Sequence, residues 1–157
     1  MKLERNISVD GIEFVATKNT VPVSPPDSTR LKSYYANINS LERKELFPLC
    51  AAISGCWQNS DFVDEIIARG SSNCQSVAGF YFFDSNEYEE EPPPEIRLDL
   101  EPGERGVTTH YLMDNAEVST TFFVKLVLAF GEFCIETDVG SKHTESDLQR
   151  IRAEFNI

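Results

Sequence analysis

The chain has 157 residues, of which 41% are hydrophobic and 25% are charged, a composition typical of a globular protein and unlike that of disordered or membrane-spanning chains. Its 26 acidic and 14 basic side chains give a formal net charge of −12. Phosphate recognition needs Lys and Arg, so this charge argues against binding to nucleic acid or to an anionic membrane. The longest apolar stretch, at 121–135, is too short for a bilayer, and residues 1–10 lack the apolar segment of a signal peptide, so we expect a cytoplasmic protein.

The first predicted element is a hairpin. Asp10 and Gly11 form a typical two-residue hairpin turn, and the residues around them, within 7–17, favour two short strands. Prolines in the segment 21–28 then interrupt regular structure and predict a loop. An exposed edge of this hairpin is one surface to which a partner strand could be added.

Helices are predicted in the next third of the chain. From Ser40 onward most residues are helix formers, Pro48 fits a first helical position, and the apolar residues that follow recur at helical spacing. A shorter helix is predicted at 61–69, with Ser60 as its N-cap and Gly70 at its end.

Strands follow the second of these helices. The nearly continuous apolar run at 77–83 predicts a strand that is buried on both faces. Apolar and charged residues alternate at 95–100, a turn is predicted at Pro102 and Gly103, and 107–113 is predicted to return as an antiparallel partner. These segments together predict a meander.

The clearest helix is predicted at 119–137, with Ser119 as its N-cap. Most of this segment is apolar, so it should be the central core helix, and Gly131 within it indicates close packing against a neighbour. A last helix is predicted at 145–155, capped by Thr144. Because the order of elements lacks regular βαβ alternation, all 157 residues are predicted to form a single α+β domain, with a mostly antiparallel sheet and helices packed on one face.

Catalysis and metal binding have little support in the sequence. There is no C-x-x-C pair, nucleotide-binding loop or G-x-S-x-G motif, and a cytosolic chain of this size is expected to keep its thiols reduced and buried. His110 falls on a predicted strand, and His143 is predicted to lie in an exposed loop before the last helix. We therefore predict no metal, no cofactor, no catalytic residue and no enzymatic activity. A small hydrolase or transferase that uses a cysteine–histidine pair is the alternative. The cysteines are Cys50, Cys56, Cys74 and Cys134.

An acidic, proline-rich loop at 84–95, with the sequence DSNEYEEEPPPE, is not explained by core packing. Self-repulsion of its carboxylates and the stiffness of three consecutive prolines favour an extended arm in solvent, either as a plain solvated linker or as a surface for Arg and Lys of a partner. Arg97 and Arg105 offset part of the acidic charge that continues into the next hairpin. The residues predicted to bind a partner are Asp84, Glu87, Tyr88, Glu89, Glu90, Glu91, Glu95 and Asp99.

In length, acidic composition and C-terminal layout, the chain resembles the bacterial immunity proteins of polymorphic toxin and contact-dependent growth inhibition systems. The layout is the strand–helix–helix order of 107–155, centred on HYLMDNAEVSTTFFVKLVLAFGEF. The resemblance implies stoichiometric inhibition of a cognate basic toxin domain, frequently a nuclease, in the cytoplasm. An acidic regulatory protein that mimics nucleic-acid charge is a further alternative, which partner selectivity would separate from an immunity protein.

Overall fold

The structure is a computed structural model that describes residues 2–19, 36–75, 77–83, 92–137 and 142–157. It contains two mostly antiparallel sheets and helices packed against them, so the predicted α+β class is confirmed. The sequence had suggested one sheet, whereas the described strands divide between a sheet of three and a sheet of five. No helix in these ranges is both long and apolar enough to cross a membrane.

The three-stranded sheet contains the predicted hairpin. Strands β1 (Lys2–Val9) and β2 (Ile12–Asn19) pair along their whole length, and β3 (Asn37–Ser40) pairs antiparallel with β2. Asp10 and Gly11 form the turn with φ angles of 49° and 85°, the left-handed conformation that a two-residue hairpin turn requires. The hairpin prediction is confirmed, whereas β3 was missed. The predicted loop at 21–28 lies outside the described residues.

The five-stranded sheet has the order β4-β5-β7-β8-β6. Its strands are β4 (Ser71–Cys74), β5 (Ala78–Phe82), β6 (Arg97–Leu98), β7 (Val107–Tyr111) and β8 (Asp114–Val118). As predicted, β5 is a largely buried inner strand. The predicted meander is wrong, because β6 has only two residues and pairs parallel with β8 rather than antiparallel with β7. Alternation identifies a strand but carries no information about its partner.

Four helices occur in the described ranges: α1 (Phe47–Cys56), α2 (Phe62–Ile67), α3 (Thr120–Thr137) and α4 (Glu145–Phe155). A single 3₁₀ turn, Lys44–Leu46, precedes α1, so the helix predicted from Ser40 onward begins only at Phe47, because Ser40 ends strand β3. Pro48 occupies the second helical position rather than the predicted first one, still within the first turn of α1.

The predicted caps of the two C-terminal helices are confirmed. Ser119 Oγ accepts a hydrogen bond of 3.1 Å from the Phe122 amide, and Thr144 forms a capping box with Asp147. The caps predicted for α2 are wrong: its N-cap is Asp61, which makes no side-chain cap bond, and Arg69 rather than Gly70 takes the left-handed conformation at its end.

Helix α3 joins the two sheets into one core. Phe122 packs against Phe14 of the three-stranded sheet, with ring centroids 6.2 Å apart. The adjacent Phe123 packs against Phe80 of the five-stranded sheet, with centroids 5.1 Å apart. One continuous cluster of buried side chains draws on both sheets and on all four helices. The close packing predicted at Gly131 is confirmed, since an added Cβ would lie 2.8 Å from a Leu148 methyl group.

Candidate binding surface

Most of the predicted partner-binding residues cannot be placed on this fold. Asp84, Glu87, Tyr88, Glu89, Glu90 and Glu91 lie outside the described residues. The two that are described, Glu95 and Asp99, do not share a site. Glu95 lines a cleft beside the start of α1, whereas Asp99 lies at the opposite end of β8, where it accepts a 2.7 Å hydrogen bond from Ser119 Oγ. Their predicted roles in partner binding stay predictions.

The turn between β7 and β8 presents bulky apolar side chains to solvent. Tyr111 pairs with Asp114, so Leu112 and Met113 form a two-residue turn, and their side chains are 64% and 94% exposed. Leu112 has a φ angle of 53°, a left-handed conformation that is unfavourable for a bulky residue and that Gly or Asn normally occupies in hairpin turns. Placing two large apolar side chains here gains nothing for the core, which makes the turn a candidate for function.

Phe47, at the start of α1, extends this apolar surface. Its side chain is 45% exposed, and its ring meets the Tyr111 ring edge-on with centroids 4.8 Å apart. We refer to Phe47, Tyr111 and Met113 as the apolar ridge. The ridge stands between two clefts, since Phe47 lines both. Isolated exposed apolar residues are ordinary on protein surfaces, but two of them, Phe47 and Met113, flanking a half-buried tyrosine beside clefts are typical of an interaction site.

The first cleft, called the acidic cleft, has a volume of about 420 Å³. The 3₁₀ turn, the start of α1, the segment before β6 and the start of β8 form its walls. Glu95 and Asp114 make no ion pair with any basic side chain in the described ranges. Glu45, in contrast, is paired with Arg43, and the hydrogen bond from Arg43 lowers the pKa of Glu45. The lining residues are Lys44, Glu45, Phe47, Pro48, Pro94, Glu95, Ile96, Met113, Asp114 and Asn115.

The two arginines that were predicted to offset the acidic charge are instead bound to a buried carboxylate. Glu117 on β8 is 0% exposed, and its carboxylate accepts hydrogen bonds from Arg97 Nε at 3.1 Å and Arg105 Nε at 2.9 Å. The Gly106 amide donates a third bond at 2.9 Å. Both guanidinium groups thus neutralise an interior charge. Since two guanidinium groups meet one carboxylate, one positive charge remains at this site.

The second cleft, called the neutral cleft, has a volume of about 620 Å³ and lies on the other side of the ridge. It is bounded by β3, by one face of α1 and by the turn between β4 and β5. Among the described residues that line it, none is Asp, Glu, Lys or Arg. They are Thr17, Asn37, Ile38, Asn39, Phe47, Ala51, Ser54, Gly55, Gln58, Asn59, Cys74, Gln75, Val77, Ala78 and Tyr111.

The cysteines offer little that suits a nucleophile. All four are free thiols, and Cys50, Cys56 and Cys134 are buried, whereas Cys74 is half-buried rather than fully buried as predicted. Burial raises the pKa of Cys50 and of Cys56 to about 12 in each case, so these thiols stay protonated at neutral pH. Within the described parts of the chain, no group of three or more His, Cys, Asp or Glu side chains is arranged to hold a metal ion.

His110 and Cys74 do not face each other across the five-stranded sheet. Cys74 points toward α1, where its Sγ would lie 2.9 Å from a Cβ added at Gly55. His110 pairs in register with Gly79, whereas Cys74 pairs with the preceding residue, Ala78. Successive residues of a strand point to opposite faces, so His110 and Cys74 lie on opposite faces of the sheet. Partial burial lowers the pKa of His110. The prediction that His143 is exposed is wrong: its side chain is buried, and Nε2 donates to the carbonyl oxygens of Trp57 at 2.9 Å and Asn59 at 3.1 Å.

Comparisons of the chain with protein-family models, with curated proteins and with solved structures find no match. The function is therefore inferred from the chemistry of the surface.

Proposed function

We propose that this protein binds and neutralises a basic protein partner, and that it is an immunity protein whose partner is the toxin domain of a bacterial toxin system. The observation that supports this proposal is the apolar ridge beside the acidic cleft. Met113 and Phe47 supply contact area for a partner, and Glu95 and Asp114 supply negative charge next to them. The partner chemistry that complements this surface is an apolar patch flanked by Arg or Lys.

The two parts of the surface serve different steps of binding. Aromatic and methionine side chains that become fully desolvated at the centre of an interface carry most of the binding energy. Exposed carboxylates at the rim mainly raise the association rate, because a net charge of −12 attracts a basic protein over a distance of about one Debye length, ~8 Å at physiological salt. A nuclease fits this description well, since its substrate-binding surface is basic.

The two alternatives have weaker support. A cysteine–histidine hydrolase would need an activated thiol, whereas Cys50 and Cys56 have raised pKa values and Cys74 lies on the other face of the sheet from His110. A regulatory mimic of nucleic-acid charge would share the acidic surface but would not need the exposed apolar turn at Leu112 and Met113.

The proposal is tested by capture from a host lysate, followed by variants of the ridge. We expect one basic protein to be retained stoichiometrically, and Met113→Asp to weaken its binding by about 30-fold or more, equivalent to ~2 kcal/mol. Leu41→Asp is the matched control, because Leu41 is also an exposed apolar residue, at 50%, but lines neither cleft.

Three outcomes have distinct meanings. Loss of binding in the Met113 variant but not in the Leu41 variant supports the ridge as the interface, and protection of cells that express the captured toxin would support the immunity function. Equal binding by both variants would rule out the ridge. If only a diffuse set of basic proteins elutes as salt rises, the acidic charge serves solubility and the proposal fails.

A further inference from the structure

The neutral cleft differs in chemistry from the rest of the molecule. A quarter of the chain is charged, so about four of the fifteen described residues that line the cleft should carry a charge, yet none of these fifteen is Asp, Glu, Lys or Arg. Its volume of about 620 Å³ lies in the range of sites that hold small organic ligands. The described walls of the cleft offer no counterion to a charged ligand, which would lose hydration there without compensation.

The walls of the cleft keep hydrogen-bonding groups available for an uncharged ligand. The side-chain amides of Asn39, Gln58 and Gln75 make no hydrogen bond to another described residue. Each amide offers two N–H donors and one carbonyl acceptor, and together they face a shared volume. Such groups match hydroxyl-rich ligands, because each hydroxyl group both donates and accepts hydrogen bonds.

The strand edges beside the cleft are already occupied, which argues against an extended peptide. The outward Ile38 amide of β3 donates to Ser54 Oγ at 3.0 Å. On β4, the Asn59 side-chain amide donates to Ser72 Oγ at 2.8 Å and to the Asn73 carbonyl oxygen at 2.9 Å. A peptide that was added to either strand would have to displace these bonds, because strand addition depends on free backbone groups.

The mouth of the cleft carries an aromatic wall. The rings of Phe47 and Tyr111 meet edge-on with centroids 4.8 Å apart, and nearly half of the Phe47 side chain is exposed. A pyranose ring has an apolar face of C–H groups that packs on an aromatic ring, while its hydroxyl groups bond to amides. An amide-lined, charge-free cleft with an aromatic wall combines both features.

We propose that the neutral cleft is a binding site for an uncharged sugar, as a free mono- or disaccharide or as the end of a neutral glycan. The inference goes beyond the proposed function and stands on a different set of side chains, apart from Phe47 and Tyr111, which the two surfaces share. Because the sugar would rest against the ridge, an occupied cleft would alter the surface that a protein partner meets.

The test is a titration of the ¹⁵N-labelled protein, followed by the side-chain amide signals in NMR spectra. Three sugars of similar shape separate the effect of charge: glucose is neutral, glucosamine is cationic and glucuronate is anionic. N-acetylglucosamine, galactose and maltose extend the neutral set, and acetyl-triglycine amide is the peptide probe. We expect a neutral sugar to shift the amide signals of Asn39, Gln58 and Gln75, and the two charged sugars to bind at least about tenfold more weakly.

Variants separate the site from general surface effects. Asn39→Asp and Gln58→Glu keep the shape of the side chain but place a negative charge in the cleft. Each substitution should weaken the binding of the neutral sugar by about tenfold. Asn6→Asp on β1 is the control, because Asn6 is exposed and lies outside the cleft. No shift with any neutral sugar, equal binding of charged sugars, or binding of acetyl-triglycine amide alone would each overturn the inference. Because none of these probes is a protein, failure here leaves the test of toxin binding unaffected.

Discussion

Substitution of Glu117 by Gln should be among the most destabilising single-atom changes in the described part of the chain. The carboxylate is fully buried and accepts three charge-assisted hydrogen bonds, from Arg97, Arg105 and the Gly106 amide. Glutamine removes the negative charge and points N–H donors at guanidinium donors. Arg105 is itself largely buried and would lose the carboxylate that it binds. Breaking a buried ion pair by removing one partner costs about 3–5 kcal/mol, which is a large part of the 5–15 kcal/mol that typically stabilises a domain.

The assay is urea unfolding followed by the fluorescence of Trp57, the single tryptophan of the chain, which is buried in the core. The control is Glu4→Gln, because Glu4 pairs with Lys2 on the surface and the loss of such a pair changes stability by less than about 1 kcal/mol. A double variant in which Arg105 and Glu117 are both methionine should recover part of the loss, since replacing both members of a buried pair by apolar groups leaves less charge unpaired. A Glu117→Gln protein within about 1 kcal/mol of the wild type would refute this reasoning.

Two further predictions concern the core. Burial raises the pKa of Cys50 and Cys56 from the ordinary value of 9.0 to about 12, so between these values the unfolded thiols are ionised and the folded ones are not. The free energy of unfolding should therefore be unaffected below about pH 9 and then fall by up to ~1.4 kcal/mol per pH unit for each thiol. Urea midpoints measured from pH 7 to 11 would show this fall, and a midpoint that stays constant over that range would contradict the prediction. Gly131→Ala should also lower the urea midpoint, because the new methyl group would lie 2.8 Å from Leu148 and 3.1 Å from Trp57. Overpacking costs about 1–3 kcal/mol, against about 1 kcal/mol gained in helix propensity, so a raised midpoint would show that the site relaxes freely.

The sequence predicted correctly those elements whose conformation depends on residues close to them along the chain. The Asp10–Gly11 turn, the caps at Ser119 and Thr144, and the apolar length of α3 depend on contacts within a few positions along the chain. The strands that were missed lack such signals. β3 is rich in asparagine and β4 in serine, and both are strands because they pair with β2 and β5, respectively.

The candidate surface was largely invisible in the sequence for a different reason. Asp114 and Asn115 are typical turn residues, so the sequence predicts a turn there, with Leu112 and Met113 at the end of the preceding strand. In the structure Leu112 and Met113 themselves form the turn, and Asp114 already belongs to the next strand. The ion pairs of Arg97 and Arg105 likewise depend on Glu117, which is distant in sequence. Strand alternation alone does not identify Glu117 as a buried residue. Contacts between distant segments therefore determined the parts of the site that were missed.

The packing of Phe14 on Phe122 has a consequence for how the protein is made. The β1–β2 hairpin is synthesised first, but its apolar face is covered by a helix that begins about a hundred residues later. Translation adds about 5–20 residues per second, so the apolar face of the hairpin stays uncovered for roughly 5–20 s before α3 is synthesised. During that interval the nascent chain exposes an apolar hairpin with a free strand edge, the kind of surface that aggregates or is held by chaperones. We therefore expect the yield of folded protein in cells to depend on chaperone supply more than on the final stability of the fold.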